Sequence, residues 1–204
     1  SVIQLDILPT DLPSAVSPLD GTHYVAYNDI CDCGAPEKIK NGMVSYFHAD
    51  DHSYSYSDTM STVSISPATD DNGYLDMTVT SNGNVYVASI EVGASSNAAV
   101  RLLTTGGWTY AGGSGPVVSS GGNVENVALS SNADTVYLAF VQSGAVYVKR
   151  LVSGTWSNAP SGSDGKVVSE AGIYEIEISS RGNKVYLAIR YGTANSVKLF
   201  TLFE

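Results

Sequence analysis

Apolar and polar residues alternate along the chain in short runs, and nowhere do apolar residues recur at the spacing of an amphipathic helix. The pattern predicts strands joined by turns. Four runs align with one another: His23-Tyr24-Val25-Ala26, Val85-Tyr86-Val87-Ala88, Val136-Tyr137-Leu138-Ala139 and Val185-Tyr186-Leu187-Ala188. Their tyrosines lie 62, 51 and 49 residues apart, a period that marks a repeat architecture. Ahead of the last three runs come Val79-Thr80-Ser81-Asn82-Gly83-Asn84, Leu129-Ser130-Ser131-Asn132-Ala133-Asp134 and Ile178-Ser179-Ser180-Arg181-Gly182-Asn183. Each reads as a strand end followed by residues that tolerate the positive φ of a short hairpin. Residues 16–24 form a looser first copy.

A third strand follows in matching form: Val44-Ser45-Tyr46-Phe47, Val100-Arg101-Leu102-Leu103, Val148-Lys149-Arg150-Leu151 and Val197-Lys198-Leu199-Phe200. After a polar, Gly-rich loop a short fourth strand is expected at Thr62-Val63-Ser64-Ile65, Pro116-Val117-Val118-Ser119 and Lys166-Val167-Val168-Ser169. Four strands per repeat of about 50 residues predict an all-β, four-bladed β-propeller, four antiparallel strands to a blade, as a single domain over 1–204. The second strand is apolar on both faces, as it must be when each sheet lies between two others, whereas a sandwich would alternate more cleanly. The last repeat stops after its third strand. Residues 1–8, with Ile3, Leu5 and Ile7 on one face, read as an N-terminal strand that closes the last blade by pairing with the strand around 197–202. The competing arrangements are an arc of a six- to eight-bladed propeller and two chains sharing one eight-bladed ring.

The formal net charge is −10 and the ten Lys and Arg are scattered, so nucleic acid and anionic membrane are not expected partners. No apolar run reaches the roughly 18 residues that cross a bilayer. Ser1 is not followed by a basic and then apolar leader, and the composition leans toward a soluble, secreted chain whose leader is gone. Cys31 and Cys33 form one C-x-C pair, too little for a disulfide framework or a four-ligand zinc site.

Four four-stranded blades in this length resemble the hemopexin-like architecture. The hairpins at Gly106-Gly107-Trp108 and Gly154-Thr155-Trp156 resemble those of secreted lectin propellers of fungi and bacteria. The disulfide between first and last blade that hemopexin repeats usually carry has no counterpart, because the two cysteines sit together. The Arg, Glu and Trp constellation of fucose-binding propellers is not found either. The resemblance therefore implies a fold and leaves the ligand open.

Trp108 and Trp156 occupy equivalent places after the third strand, with Tyr54 and Tyr56 at the corresponding place in the first repeat and Tyr110 close by. Such aromatics either stack on a sugar or wedge one blade against the next. His48-Ala49-Asp50-Asp51-His52 gathers metal-ligand types, with His48, Asp50 and His52 on one strand face, although a solvated loop has the same composition. Thr69-Asp70-Asp71-Asn72-Gly73 reads as a turn. Asp76, Asn126 and Glu175 are aligned as a ring around the central channel, where Ca²⁺ or another cation would find oxygen ligands. Arg101, Lys149 and Lys198 align as exposed edge cations. No nucleophile elbow, zincin helix or phosphate loop is present, and Asp76, Glu175 and Glu177 are the carboxylates from which a cleaving pair would have to come. The expected function is non-catalytic recognition of a glycan or glycoprotein by inter-blade loops, in the manner of a lectin. The alternatives are a sialidase- or lyase-type enzyme using the central pocket and an adhesion module, and a homo-oligomer is open to any of them.

Overall fold

The computed structural model describes residues 13–31, 39–47, 54–56, 74–92, 95–105, 107–118, 122–160, 164–182, 184–192 and 196–203. Residues 1–8, the expected strand at Thr62 to Ile65, the His48, Asp50 and His52 cluster, the turn at 69–73 and Cys33 lie outside them. The described chain is strand and turn throughout, and within it no helix is long and apolar enough to cross a membrane. Four antiparallel sheets follow one another in chain order. The first holds β1 (Ser14–Val16), β2 (His23–Cys31), β3 (Ile39–Phe47) and β4 (Tyr54–Tyr56). The second holds β5 (Leu75–Val79), β6 (Val85–Val92), β7 (Ser96–Thr104) and β8 (Gly107–Tyr110). In the third, β9 (Val124–Asn132), β10 (Thr135–Gln142), β11 (Ala145–Val152) and β12 (Thr155–Asn158) are joined by β13 (Lys166–Ser169). The fourth holds β14 (Ile173–Arg181), β15 (Lys184–Tyr191) and β16 (Ser196–Phe203).

Tight hairpins make these meanders. Ser143 and Gly144 have φ of 52° and 71°, and Ser153 and Gly154 have 49° and 77°, so both loops are two-residue turns with left-handed residues throughout. Their twist matches that of the flanking strands, and it fixes Gln142 opposite Ala145 and Val152 opposite Thr155.

The repeated second strands are apolar on both faces because they are packed on both. Tyr24 and Ala26 of β2 point forward onto Met77, Val85 and Val87 of the second sheet. Tyr86, Ala88 and Ile90 point forward in turn, onto Leu129, Val136, Leu138 and Phe140. Tyr137, Ala139 and Val141 meet Ile178, Val185, Leu187 and Ile189 of the fourth sheet. Each sheet thus offers a forward face to the next and a backward face to the one before. The innermost strands β5, β9 and β14 also pack directly on one another in sequence.

Three expectations are corrected. The fourth strand is the segment carrying the tryptophan: β8 pairs β7 and β12 pairs β11. Of the segments expected there, Val118 makes one isolated bridge to Ala98, and β13 pairs the first half of β11, whose second half β12 already holds. The third strand of the last repeat is displaced by two residues. Val44, Val100 and Val148 lie opposite the repeated alanines, but Ala188 faces Leu199 and not Val197. The first strands are likewise out of step, since Met77, Leu129 and Ile178 share one place opposite Val87, Leu138 and Leu187. Asp76 therefore corresponds to Ala128 and Glu177, while Asn126 and Glu175 correspond to each other opposite Val141 and Arg190.

Candidate functional site

The inner strands are stitched together by polar side chains. Asp76 on β5 accepts the Leu129 N–H of β9 on Oδ2 at 2.5 Å and its neighbour's N–H, from Met77, on Oδ1 at 2.7 Å. Ser131 donates to Val79 O at 2.9 Å, which leaves Thr78 as the donor in the 2.8 Å contact between their hydroxyls. Between the third and fourth sheets Ser130 meets Ser180 at 3.0 Å, Asn126 Nδ2 donates to Tyr174 O at 3.5 Å, and Asn132 Nδ2 donates to Gly182 O. These bonds satisfy inner-strand groups that no neighbouring strand of the same sheet reaches.

Burial pushes the Asp76 carboxyl up to about 7, against the pull of the Leu129 and Met77 N–H groups, and the Glu177 carboxylate adds to the rise. Asn126 is buried and committed to the β14 backbone, and Glu175 pairs with Arg190 at 3.1 Å. The three residues aligned as a cation ring are each held by a protein partner. Among the described residues no group of three or more His, Cys, Asp or Glu side chains is placed to hold a metal ion.

At the start of the inner strands the surface changes character. Tyr174 is 59% exposed where β14 begins, and the Arg190 guanidinium lies 4.9 Å from its ring centroid. A Cβ at Gly192 would meet the Tyr174 ring at 3.5 Å, an ordinary contact distance, so the ring lies beside the Gly192 backbone. Tyr74, 37% exposed, stands just ahead of β5 on the second sheet, at the place that Glu175 holds on the fourth. Tyr174, Arg190 and Glu175 together offer an aromatic face, a guanidinium and a carboxylate. The sequence reading missed both tyrosines. Their signal was an aromatic one or two residues before an acidic one, at Tyr74-Leu75-Asp76 and Tyr174-Glu175, about two repeats apart.

The tryptophans sit elsewhere. Trp156 on β12 packs into the cluster between the second and third sheets and donates Nε1–H to Ala111 O at 2.6 Å. A Cβ at Gly112 (φ +75°) would come within 2.9 Å of its Cδ1 and 2.7 Å of Leu151, so only glycine lets the indole seat there. Trp108 on β8 packs against the junction of the first two sheets. Tyr110 gives its hydroxyl to Glu91 Oε1 at 3.0 Å and its ring face to Arg101 at 4.8 Å. Arg101 is only 7% exposed and donates to Glu91 at 2.7 Å, which corrects its reading as an edge cation. Lys149 donates to Asn158 at 3.1 Å, and Lys198 pairs with Glu170 at 2.6 Å on the surface. Tyr54 and Tyr56 fall on β4, where only the backbone is described.

No family model matches the chain, and no curated protein sequence matches it. Solved structures do resemble it. A polysaccharide lyase, an ulvan lyase bound to -[GlcA(1-4)Rha3S]-, superimposes with a TM-score of 0.54 at 8% identity over 94% of this chain and 50% of the lyase. The likeness is one of fold. A GH43_1 enzyme from Xanthomonas citri complexed with xylotriose gives 0.53 at 12% identity over 93% of this chain and 69% of that one. A glycosyl hydrolase from Bacteroides ovatus gives 0.52 at 12% over 95% and 67%. The chain thus spans half the length of the lyase. These neighbours are propeller-like carbohydrate-active enzymes, and the chain shares with them an all-β stack of antiparallel sheets.

Proposed function

We propose that the chain is a secreted, lectin-like module that binds glycans without cleaving them, through the rim where the inner strands begin. The observation that carries the reading is Tyr174. Its ring is exposed, one face is backed by Arg190, and the Glu175 carboxylate lies beside it. Pyranose C–H groups pack on such a ring while charged neighbours fix the hydroxyls. The carbohydrate-active enzymes that share the fold support glycan as the ligand class. The test is a glycan array followed by titration calorimetry. Tyr174→Ala should weaken binding by about 1 to 3 kcal/mol, the range of an aromatic hot spot, without changing thermal unfolding. Absence of binding across neutral and acidic glycans, or full affinity in the variant, would overturn the reading.

Cleavage is the second reading, favoured by one observation: a carboxyl raised to about 7 at Asp76 with the Glu177 carboxylate in its field. Both Asp76 oxygens are already engaged by backbone N–H groups, which favours a holding role. Turnover of a bound glycan that disappears in Asp76→Asn would reverse that preference.

A further inference from the structure

Tyr174 stands out from β14 because it lies outside the ladder. Ile173 pairs with Tyr191 and Glu175 with Arg190, so no residue of β15 is opposite Tyr174. A bulge of this kind re-aims a side chain, and bulges gather beside functional sites. The same irregularity recurs at the same place on β9, where Val124 pairs with Gln142 and Asn126 with Val141, which leaves Glu125 unopposed on β10. Glu125 is exposed between Val124 and Asn126, both buried. The two bulges adjoin: β9 packs on β14, and Asn126 Nδ2 donates to the carbonyl of Tyr174 itself. Among the described residues Glu125 has neither a hydrogen bond nor an ion pair. The cations on this side are matched, Arg190 over the Tyr174 ring by Glu175 at 3.1 Å and Lys198 on the next strand by Glu170 at 2.6 Å.

We propose that the two bulges form one binding edge for a neutral glycan, in which Tyr174 stacks on a sugar ring while Glu125 accepts hydrogen bonds from hydroxyls and turns away uronic and sialic acids. This extends the glycan reading of Tyr174, on which it rests, by naming the class of glycan. An ionised carboxylate has acceptors only, and sugar hydroxyls supply the donors it needs. Bonds to a charged group are stronger than those between neutral ones, so an unengaged carboxylate beside a stacking ring is a strong point of attachment. An acidic sugar on the same ring would bring a like charge up to Glu125, where Arg190 and Lys198 are already matched, on a chain of net charge −10. Specificity of this kind comes from the repulsive element as much as from the attractive one.

The experiment is titration calorimetry with matched probes: oligosaccharides of glucose, galactose and mannose, each against the uronic acid oligosaccharide of the same configuration. The wild type should bind a neutral member and prefer it to its acidic counterpart by about fivefold or more, the scale of one exposed charge contact. That preference should shrink as salt is raised. Glu125→Gln, at an exposed position, should keep the thermal unfolding of the wild type and most of its affinity for the neutral probe, while binding of the acidic counterpart improves by about fivefold. Glu125→Ala should weaken the neutral probe by about tenfold, as for a lost bond to a charged group. A wild type that prefers the acidic members or binds both equally, or neutral binding that Glu125→Ala leaves intact, would overturn the neutral class and the role of Glu125 with the stacking on Tyr174 untouched. Failure to bind either series also overturns the class, and silence across the glycan array as well overturns the reading of Tyr174 beneath it.

Discussion

A buried carboxyl is the feature of single residues with the clearest consequence. Asp76 has an ordinary value of 3.8, which the unfolded chain would show, and about 7 in the fold. Between these values the folded protein holds a proton that the unfolded chain has released. Stability therefore falls as the pH rises from about 4 to about 7 and levels off above. Asp76→Asn keeps an acceptor for one of the two N–H groups and carries no titrating proton. Relative to the wild type, the variant's melting temperature should improve steadily across that window. Parallel profiles for the two proteins would show that Asp76 is not the titrating group. The Glu91, Arg101 and Tyr110 cluster teaches a different lesson at the same scale. A guanidinium can be almost wholly buried when a carboxylate ten positions earlier and an aromatic face are supplied with it.

Among elements, the fourth strands were the least readable. A four-residue strand with one tryptophan and polar neighbours has no alternation to detect, so Gly107–Tyr110 and Thr155–Asn158 read as loops. The second strands were legible because burial on both faces leaves a continuous apolar run, and the hairpins because Asn-Gly and its relatives are specific to positive φ. Register was not legible. Residues two apart on a strand share a face, so the Ser- and Thr-rich inner strands fit several alignments, and Tyr174 dropped out of view with them. In the last repeat the same unit of two separates Val197, aligned by sequence, from Leu199, which faces Ala188. The placement of β12 makes a prediction about Trp156. Trp156→Ala removes the indole from the junction and leaves the buried Ala111 carbonyl unpaired, which should cost about 3 kcal/mol of stability. Trp156→Phe refills most of the space and should lose only about 1 kcal/mol, that of the missing hydrogen bond. Equal losses in chemical denaturation for the two variants would mean that packing contributes nothing there.

At the scale of the whole molecule the sheets form a series in which contacts run between successive neighbours, and stability in such an arrangement is distributed by position. The third sheet is covered on both sides: Val136, Leu138 and Phe140 of β10 face the second sheet, and Tyr137, Ala139 and Val141 face the fourth. All six are buried, and the strand is hydrogen bonded to β9 and β11 along its length. The fourth sheet is packed on its backward face through Val185, Leu187 and Ile189, while β16 exposes Val197 and Leu199 on the other. Local opening of β16 therefore uncovers little apolar area, whereas opening of β10 breaks two junctions at once. Native-state hydrogen exchange, followed at concentrations where the chain is a single copy, should show the slowest amides in β10 and fast exchange in β16. Leu138→Ala, which opens a cavity in a fully buried site, should cost about 2 to 5 kcal/mol and accelerate exchange in the second and third sheets together. If β16 amides exchanged as slowly as those of β10, the fourth sheet's forward face would have to be covered within the single chain, and the stack would be closed on itself.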